Sequence, residues 1–121
     1  MSVELLGLRT VVYPAPDLDA AKRWWTSVLG FEPYFDHPFY VGFEVGGYEL
    51  ALDPDGDPAD GPIVYWGVED AADAEARLLA AGAEPHTPCR EVGGGIEVAV
   101  VRNPTGDLVG VIRNPHFKTT S

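Results

Sequence analysis

Apolar and polar residues alternate along short runs of the chain, and twice that alternation gives way to helical spacing. The β-branched, apolar run Leu6–Tyr13 stops at Pro14-Ala15-Pro16, which predicts a strand and then a turn. Asp17 follows as a candidate N-cap, with Leu18, Ala21, Trp25 and Val28 behind it at helical spacing. Gly30 stands where a helix end favours a left-handed residue. Phe31–Phe35, Tyr40–Val45 and Tyr48–Asp53 are predicted strands, the last two joined by a Gly46-Gly47 hairpin turn. A stretch rich in Asp, Pro and Gly comes next, and then the order begins again. Ile63–Val68 predicts a strand, Glu69-Asp70 opens a helix through Ala71, Ala74, Leu78 and Ala81, and Gly82 ends it. Glu84–Glu91, Ile96–Arg102 and Leu108–Arg113 are the remaining strands, with Asn103-Pro104-Thr105-Gly106 turning between the last two.

The two halves superpose in sequence. Asp17 and Asp70 are 53 residues apart, Gly30 and Gly82 are 52 apart, and Gly47 and Gly106 are 59 apart. The larger last offset is taken up by a longer loop around Gly93-Gly94-Gly95. Strand, helix, helix stop and final hairpin recur in one order, which predicts a repeated βαβββ module. The expected fold is α+β, a single domain over residues 1–121 with eight strands curved around a cavity and two helices outside. Module one covers about 5–54, a linker about 54–61, and module two about 62–115. One such module alone buries too little apolar surface to stand by itself, and two together create a concavity for a small ligand.

Charge narrows the partners. The 121 residues carry 8 Lys+Arg against 19 Asp+Glu, a formal net charge of −11. Such a surface repels nucleic-acid phosphates and anionic lipids and favours cationic or neutral ligands. No apolar stretch reaches the roughly 18–20 residues of a membrane helix. The first residues, Met1-Ser2-Val3-Glu4, lack the basic flank of a secretory signal. With one cysteine, Cys89, no internal disulfide forms. The expected address is the cytoplasm.

Asp17-Leu18-Asp19-Ala20-Ala21-Lys22-Arg23-Trp24-Trp25 and Val28-Leu29-Gly30-Phe31-Glu32 resemble the vicinal oxygen chelate superfamily of glyoxalase I, bleomycin-resistance proteins and extradiol dioxygenases. Val68-Glu69-Asp70, Ala80-Ala81-Gly82-Ala83, Gly93-Gly94-Gly95 and Asn103-Pro104-Thr105-Gly106-Asp107-Leu108 extend the likeness over nearly the whole chain. The resemblance implies a homodimer. It also implies four metal-ligand positions on strands, which here fall on Thr10, Ala51, Ile63 and Gly110. None of the four bears an imidazole, thiolate or carboxylate, and divalent transition metals need about three such ligands. No metal and no other cofactor is therefore expected, and glyoxalase I and dioxygenase activities are not.

The pleat assigns faces. With Ala51 inward, Glu49 and Asp53 face the cavity while Leu50 and Leu52 face a helix. The expected cavity is walled by Thr10, Val12, Ile63, Tyr65, Gly110 and Ile112, with Phe35, Phe39, Tyr40 and Phe43 as aromatic lining. Glu49, on an inward position in largely apolar surroundings, is expected to have a raised pKa and to act as a base or pair with a ligand cation. Tyr65 is expected to polarise a carbonyl, to stack on a flat ring, or to fill core. Trp25 belongs to the buried stripe, leaving Trp24 at its margin or in a subunit contact. His37, His86 and His116 are assigned to loops, turns or the tail, without metal-ligand spacing. Cys89 is read as a bystander, and Phe117 as a cover over one end of the core.

The leading expectation is a metal-independent small-molecule-binding protein, of a sequestration or resistance type, for a planar or cationic compound. The alternative is a metal-free lyase or isomerase using Glu49 and Tyr65 for acid–base chemistry. A third reading is an interaction or regulatory protein whose cavity is filled.

Overall fold

The computed structural model describes residues 2–116, so Phe117 lies outside the described residues. The elements, in chain order, are β1 (Leu8–Pro14), α1 (Leu18–Leu29), β2 (Phe35–His37), β3 (Tyr40–Val45), β4 (Tyr48–Asp53), β5 (Ile63–Gly67), α2 (Ala71–Ala80), β6 (Glu84–Glu91), β7 (Glu97–Arg102) and β8 (Leu108–Arg113). A short 3-10 turn, Pro58–Asp60, interrupts the stretch between β4 and β5. The fold is α+β, and its two βαβββ modules match the repeat predicted from the sequence.

The described residues divide into two compact units, Thr10–Ile63 and a second made of residues 2–9 with 64–116. In the first, the strands run in the order β2-β3-β4-β1; in the second, β6-β7-β8-β5. Each unit therefore places its strands alike, the first beside the fourth, then the third, then the second. The pairings β1–β4 and β5–β8 are parallel, and the others within each unit are antiparallel. A parallel pair cannot be closed by a tight turn, and in both units the helix and hairpin supply the crossover.

Both helices begin on an aspartate. The Asp17 carboxylate accepts from the Ala20 N–H at 3.1 Å, and the Asp70 carboxylate from the Asp73 N–H at 3.0 Å. Each satisfies a backbone donor that the helix leaves unpaired. Gly30 closes α1 with φ of 82°, a left-handed cap open to glycine at no steric cost. Leu18, Ala21, Trp25 and Leu29 pack on Tyr13, Val41, Phe43, Leu50 and Leu52. The sequence placed Val28 in this stripe, but Val28 is 56% exposed. Leu29, four residues after Trp25, takes the inward place instead. In the second unit Ala71, Ala74 and Leu78 pack on Val68, Ala99 and Val111. Small alanines bring α2 close to its strands, and each large side chain fully buried there or in the first core contributes about 1.5–3 kcal/mol.

Four predicted strands keep their bounds, and the others shift at their ends. The largest change is at Phe31–Phe35, where only Phe35–His37 forms a strand. Pro33 has no N–H to give a ladder, and the Phe31 ring turns edge-on to Phe43, with centroids 6.4 Å apart. His37 ends β2 and His86 lies within β6, so neither is in a loop as expected.

Candidate functional site

Alternation along β4 points Leu50 and Leu52 at α1 and leaves Glu49 and Ala51 on the opposite face. Register carries that face across the sheet. Thr10 and Val12 on β1 stand beside Glu49 and Ala51, and Gly42 and Glu44 on β3 stand on their other side. Phe35 pairs with Gly42, and His37 with Tyr40. Thr10, Val12, Phe35, Tyr40, Glu49 and Ala51 are thus brought to one face of the Thr10–Ile63 unit.

Phe43 is not on that face. It pairs with Leu50, is fully buried, and belongs to the core under α1. The Gly46-Gly47 turn fixes this register, because Val45 opposite Tyr48 sets Phe43 opposite Leu50 two steps on. The expectation that Phe43 lines the cavity is corrected accordingly.

Glu49 is held by three hydroxyls. Thr10 donates to Oε1 at 3.2 Å and Tyr40 donates to the same oxygen at 2.7 Å. Tyr34 donates to Oε2. The premise of apolar surroundings for this carboxylate is corrected: its partners are polar, and they come from three separate segments of the chain. The cluster also offsets the cost of Glu44, a second carboxylate directly across the ladder. The Tyr34 phenol is pushed well above the ordinary tyrosine value, by partial burial first and then by the bond to Glu49, with Glu44 adding to the effect. A phenolate there would face two carboxylates.

Two of these residues escaped the sequence reading. Tyr34 fell inside the predicted strand Phe31–Phe35 and carried no assigned role. Gly42 gave the one usable signal, a glycine in the interior of a strand, which marks a close approach by another group. A β-carbon on Gly42 would stand 2.7 Å from Glu49 Oε2 and 3.2 Å from Tyr34 Cε1. The bare backbone makes room for the acid and the ring above it.

Aromatic rings gather beside the carboxylate. Phe35 lies with its centroid 5.9 Å from Tyr40, 6.2 Å from Phe39 and 4.3 Å from His37. His37 stacks on Phe39 at 5.3 Å. Phe39 is 63% exposed, an unusual state for a phenylalanine with two ring neighbours.

Ile63 is the last residue of the same unit, while Tyr65, Gly110 and Ile112 belong to the other. There Tyr65 pairs with Gly110 and its ring covers that glycine's backbone. Ile112 borders an open cleft of about 340 Å³ together with Leu6, Arg9, Glu69, Arg113 and Pro115. Gly93–Gly95 forms the tip between β6 and β7, where the Ile96 N–H reaches the Gly93 carbonyl at 3.0 Å. Cys89 packs near α2, and burial, with Glu97, Glu75 and Asp70 behind it, pushes its thiol up.

A metal of the kind the superfamily's chelating enzymes use does not fit these residues. Thr10 offers a hydroxyl already committed to Glu49, and Ala51, Ile63 and Gly110 offer no side-chain donor. Among the described residues no three His, Cys, Asp or Glu side chains converge. No helix of the described residues is long and apolar enough to cross a membrane.

The family model for the Glyoxalase/Bleomycin resistance protein/Dioxygenase superfamily matches residues 7–111. No curated protein gives a significant sequence match. Among solved structures, a variant of the Streptomyces coelicolor methylmalonyl-CoA epimerase in complex with 2-nitronate-propionyl-CoA is similar at TM-score 0.71 and 14% identity. That match covers 97% of this chain and 100% of the other. A glyoxalase/bleomycin resistance protein/dioxygenase superfamily member from Vibrio splendidus 12B01 gives TM-score 0.66 and 19% identity, over 88% and 99% of the two chains. The Mn(II)-bound glyoxalase from Novosphingobium aromaticivorans gives TM-score 0.69 and 21% identity, over 93% of this chain and 40% of that one. At these identities the structures speak for the fold alone, but the family model spans most of the sequence: the chain belongs to the glyoxalase/bleomycin resistance protein/dioxygenase superfamily.

Proposed function

We propose that this protein binds and sequesters a small planar, cation-bearing molecule without a metal, on the Glu49 face of the Thr10–Ile63 unit. One observation carries the reading: a carboxylate is fixed by Thr10, Tyr40 and Tyr34, and the Tyr40 ring that holds it opens a chain of rings through Phe35, 5.9 Å on, to Phe39, 6.2 Å further. A fixed anion pairs with a ligand amine without first paying to order itself, and a ring pair adds about 0.5–1.5 kcal/mol beyond area burial. The net charge of −11 raises the local concentration of such a cation. Calorimetry against flat ammonium compounds tests this, with Glu49→Gln and Phe39→Ala as controls. Binding lost in both variants supports the site, whereas a ligand indifferent to both overturns it.

The two phenols on Glu49 favour one second reading, a metal-free lyase or isomerase. Glu49 would take a proton from a carbon next to a carbonyl, and a tyrosine phenol would return one. Incorporation of solvent deuterium into the bound compound, abolished by Glu49→Gln, would move the protein to that class. A homodimer belongs to the first reading as well. Trp24 and Val28, one turn apart on α1, are 59% and 56% exposed, and a monomer at high concentration in sedimentation would count against it.

A further inference from the structure

The three donors on Glu49 are not held alike. Thr10 and Tyr40 both serve Oε1, and both stand on strands flanking β4; Thr10 is only 7% exposed. Among the described residues Tyr34 is the donor recorded on Oε2. It lies in the irregular segment between α1 and β2 and is 63% exposed. Its backbone is tied to the sheet by the N–H bond to the Gly42 carbonyl, at 3.0 Å. The ring rests over Gly42, in the space a β-carbon would fill.

We propose that Tyr34 is a built-in stand-in for the ligand, its phenol holding Oε2 in the free protein until an aryl-alkyl ammonium takes its place. The inference rests on the reading of Glu49 as the ligand anchor and adds to it the class of compound and the step of exchange. The phenol's bond to the carboxylate has one charged partner; an ammonium brings a second, opposite charge to the same oxygen and so adds direct ion–ion attraction. A neutral alcohol of the same shape only trades one hydroxyl for another. Thr10 and Tyr40 keep the carboxylate aimed throughout, so the exchange changes one partner and not the geometry of the anion. The bare Gly42 backbone is the floor on which a ligand ring replaces the tyrosine ring.

The experiment is an NMR titration of the whole chain with benzylamine and, separately, benzyl alcohol, on wild type and on Tyr34→Phe, Gly42→Ala and Glu49→Gln. Tyr34→Phe keeps the ring and removes the competing hydroxyl, so benzylamine is expected to bind it about tenfold tighter or more. Benzyl alcohol, which brings no charge, should bind more weakly than benzylamine to wild type and to Tyr34→Phe alike. Gly42→Ala puts a methyl into the exchange position, 2.7 Å from Oε2, and should weaken benzylamine while the spectrum stays folded. Equal or weaker benzylamine binding in Tyr34→Phe, with binding still lost in Glu49→Gln, would overturn the stand-in and leave the anchor intact. Absence of benzylamine binding to wild type and to Tyr34→Phe alike would overturn both.

Discussion

The ring of Tyr65 lies across the backbone of Gly110, so close that a β-carbon on the glycine would stand 2.5 Å from Cδ1. The two residues are paired across the parallel β5–β8 ladder. The equivalent pair in the other unit is Val12 and Ala51, across β1–β4. The smaller valine leaves room for alanine; the tyrosine demands glycine. Gly110→Ala is therefore expected to lower stability by about 1–3 kcal/mol through overpacking. Tyr65→Val in the same chain should restore part of that loss, and a double-mutant cycle by denaturant melts measures the coupling.

Phe43 and Phe39 make a second contrast. Phe43 is fully buried under α1, so Phe43→Ala should cost about 3–5 kcal/mol and lower the unfolding midpoint sharply. Phe39 is 63% exposed in the turn before β3, so Phe39→Ala should leave the midpoint nearly unchanged. A pair of thermal melts checks both.

The sequence reading put both phenylalanines in the cavity lining. What separates them is that Phe39 falls in the turn before β3, while Phe43 lies in the strand, where the Gly46-Gly47 hairpin sets it opposite Leu50. Helix starts at Asp17 and Asp70 were legible for a similar reason: the cap and its first turn are local in sequence. Glu49 was legible as an inward acid because strand faces follow a period of two. Its hydroxyl partners were not, since Tyr34 reaches it from an irregular segment whose path depends on Pro33 and on the fit of Phe31 against Phe43. Alternation says which side a residue faces, not what arrives there.

Tyr34 gives stability a dependence on alkaline pH. Its phenol is raised above the ordinary value near 10 by burial and by the bond to Glu49. A folded state that keeps a proton the unfolded chain gives up is fully favoured below that ordinary value and loses the advantage as pH rises beyond it. Wild type should therefore lose more stability than Tyr34→Phe as pH is raised above about 10, followed by urea midpoints. Equal slopes would show that Tyr34 keeps no proton preferentially on folding.

Cys89 should be slow to react. Burial and three neighbouring carboxylates raise its thiol, and the thiolate is the nucleophile. Iodoacetamide is expected to alkylate it more slowly at neutral pH than a free cysteine peptide, with the rate climbing at higher pH than the peptide's. Mass spectrometry of timed samples reads this directly.

The opening residues belong with the later unit: the Leu6 N–H reaches the Gly67 carbonyl at 2.8 Å, and the Gly67 N–H returns to the Gly7 carbonyl at 2.8 Å. Leu6 and Gly7 are made roughly sixty residues before their partner, a closure whose entropy must be met before the contact rewards it. The Thr10–Ile63 unit has all its strands in hand by then and is the natural first folder. The other unit must wait for Leu6 and Gly7 to be recaptured, so loss of those residues would damage the unit whose strands are completed later.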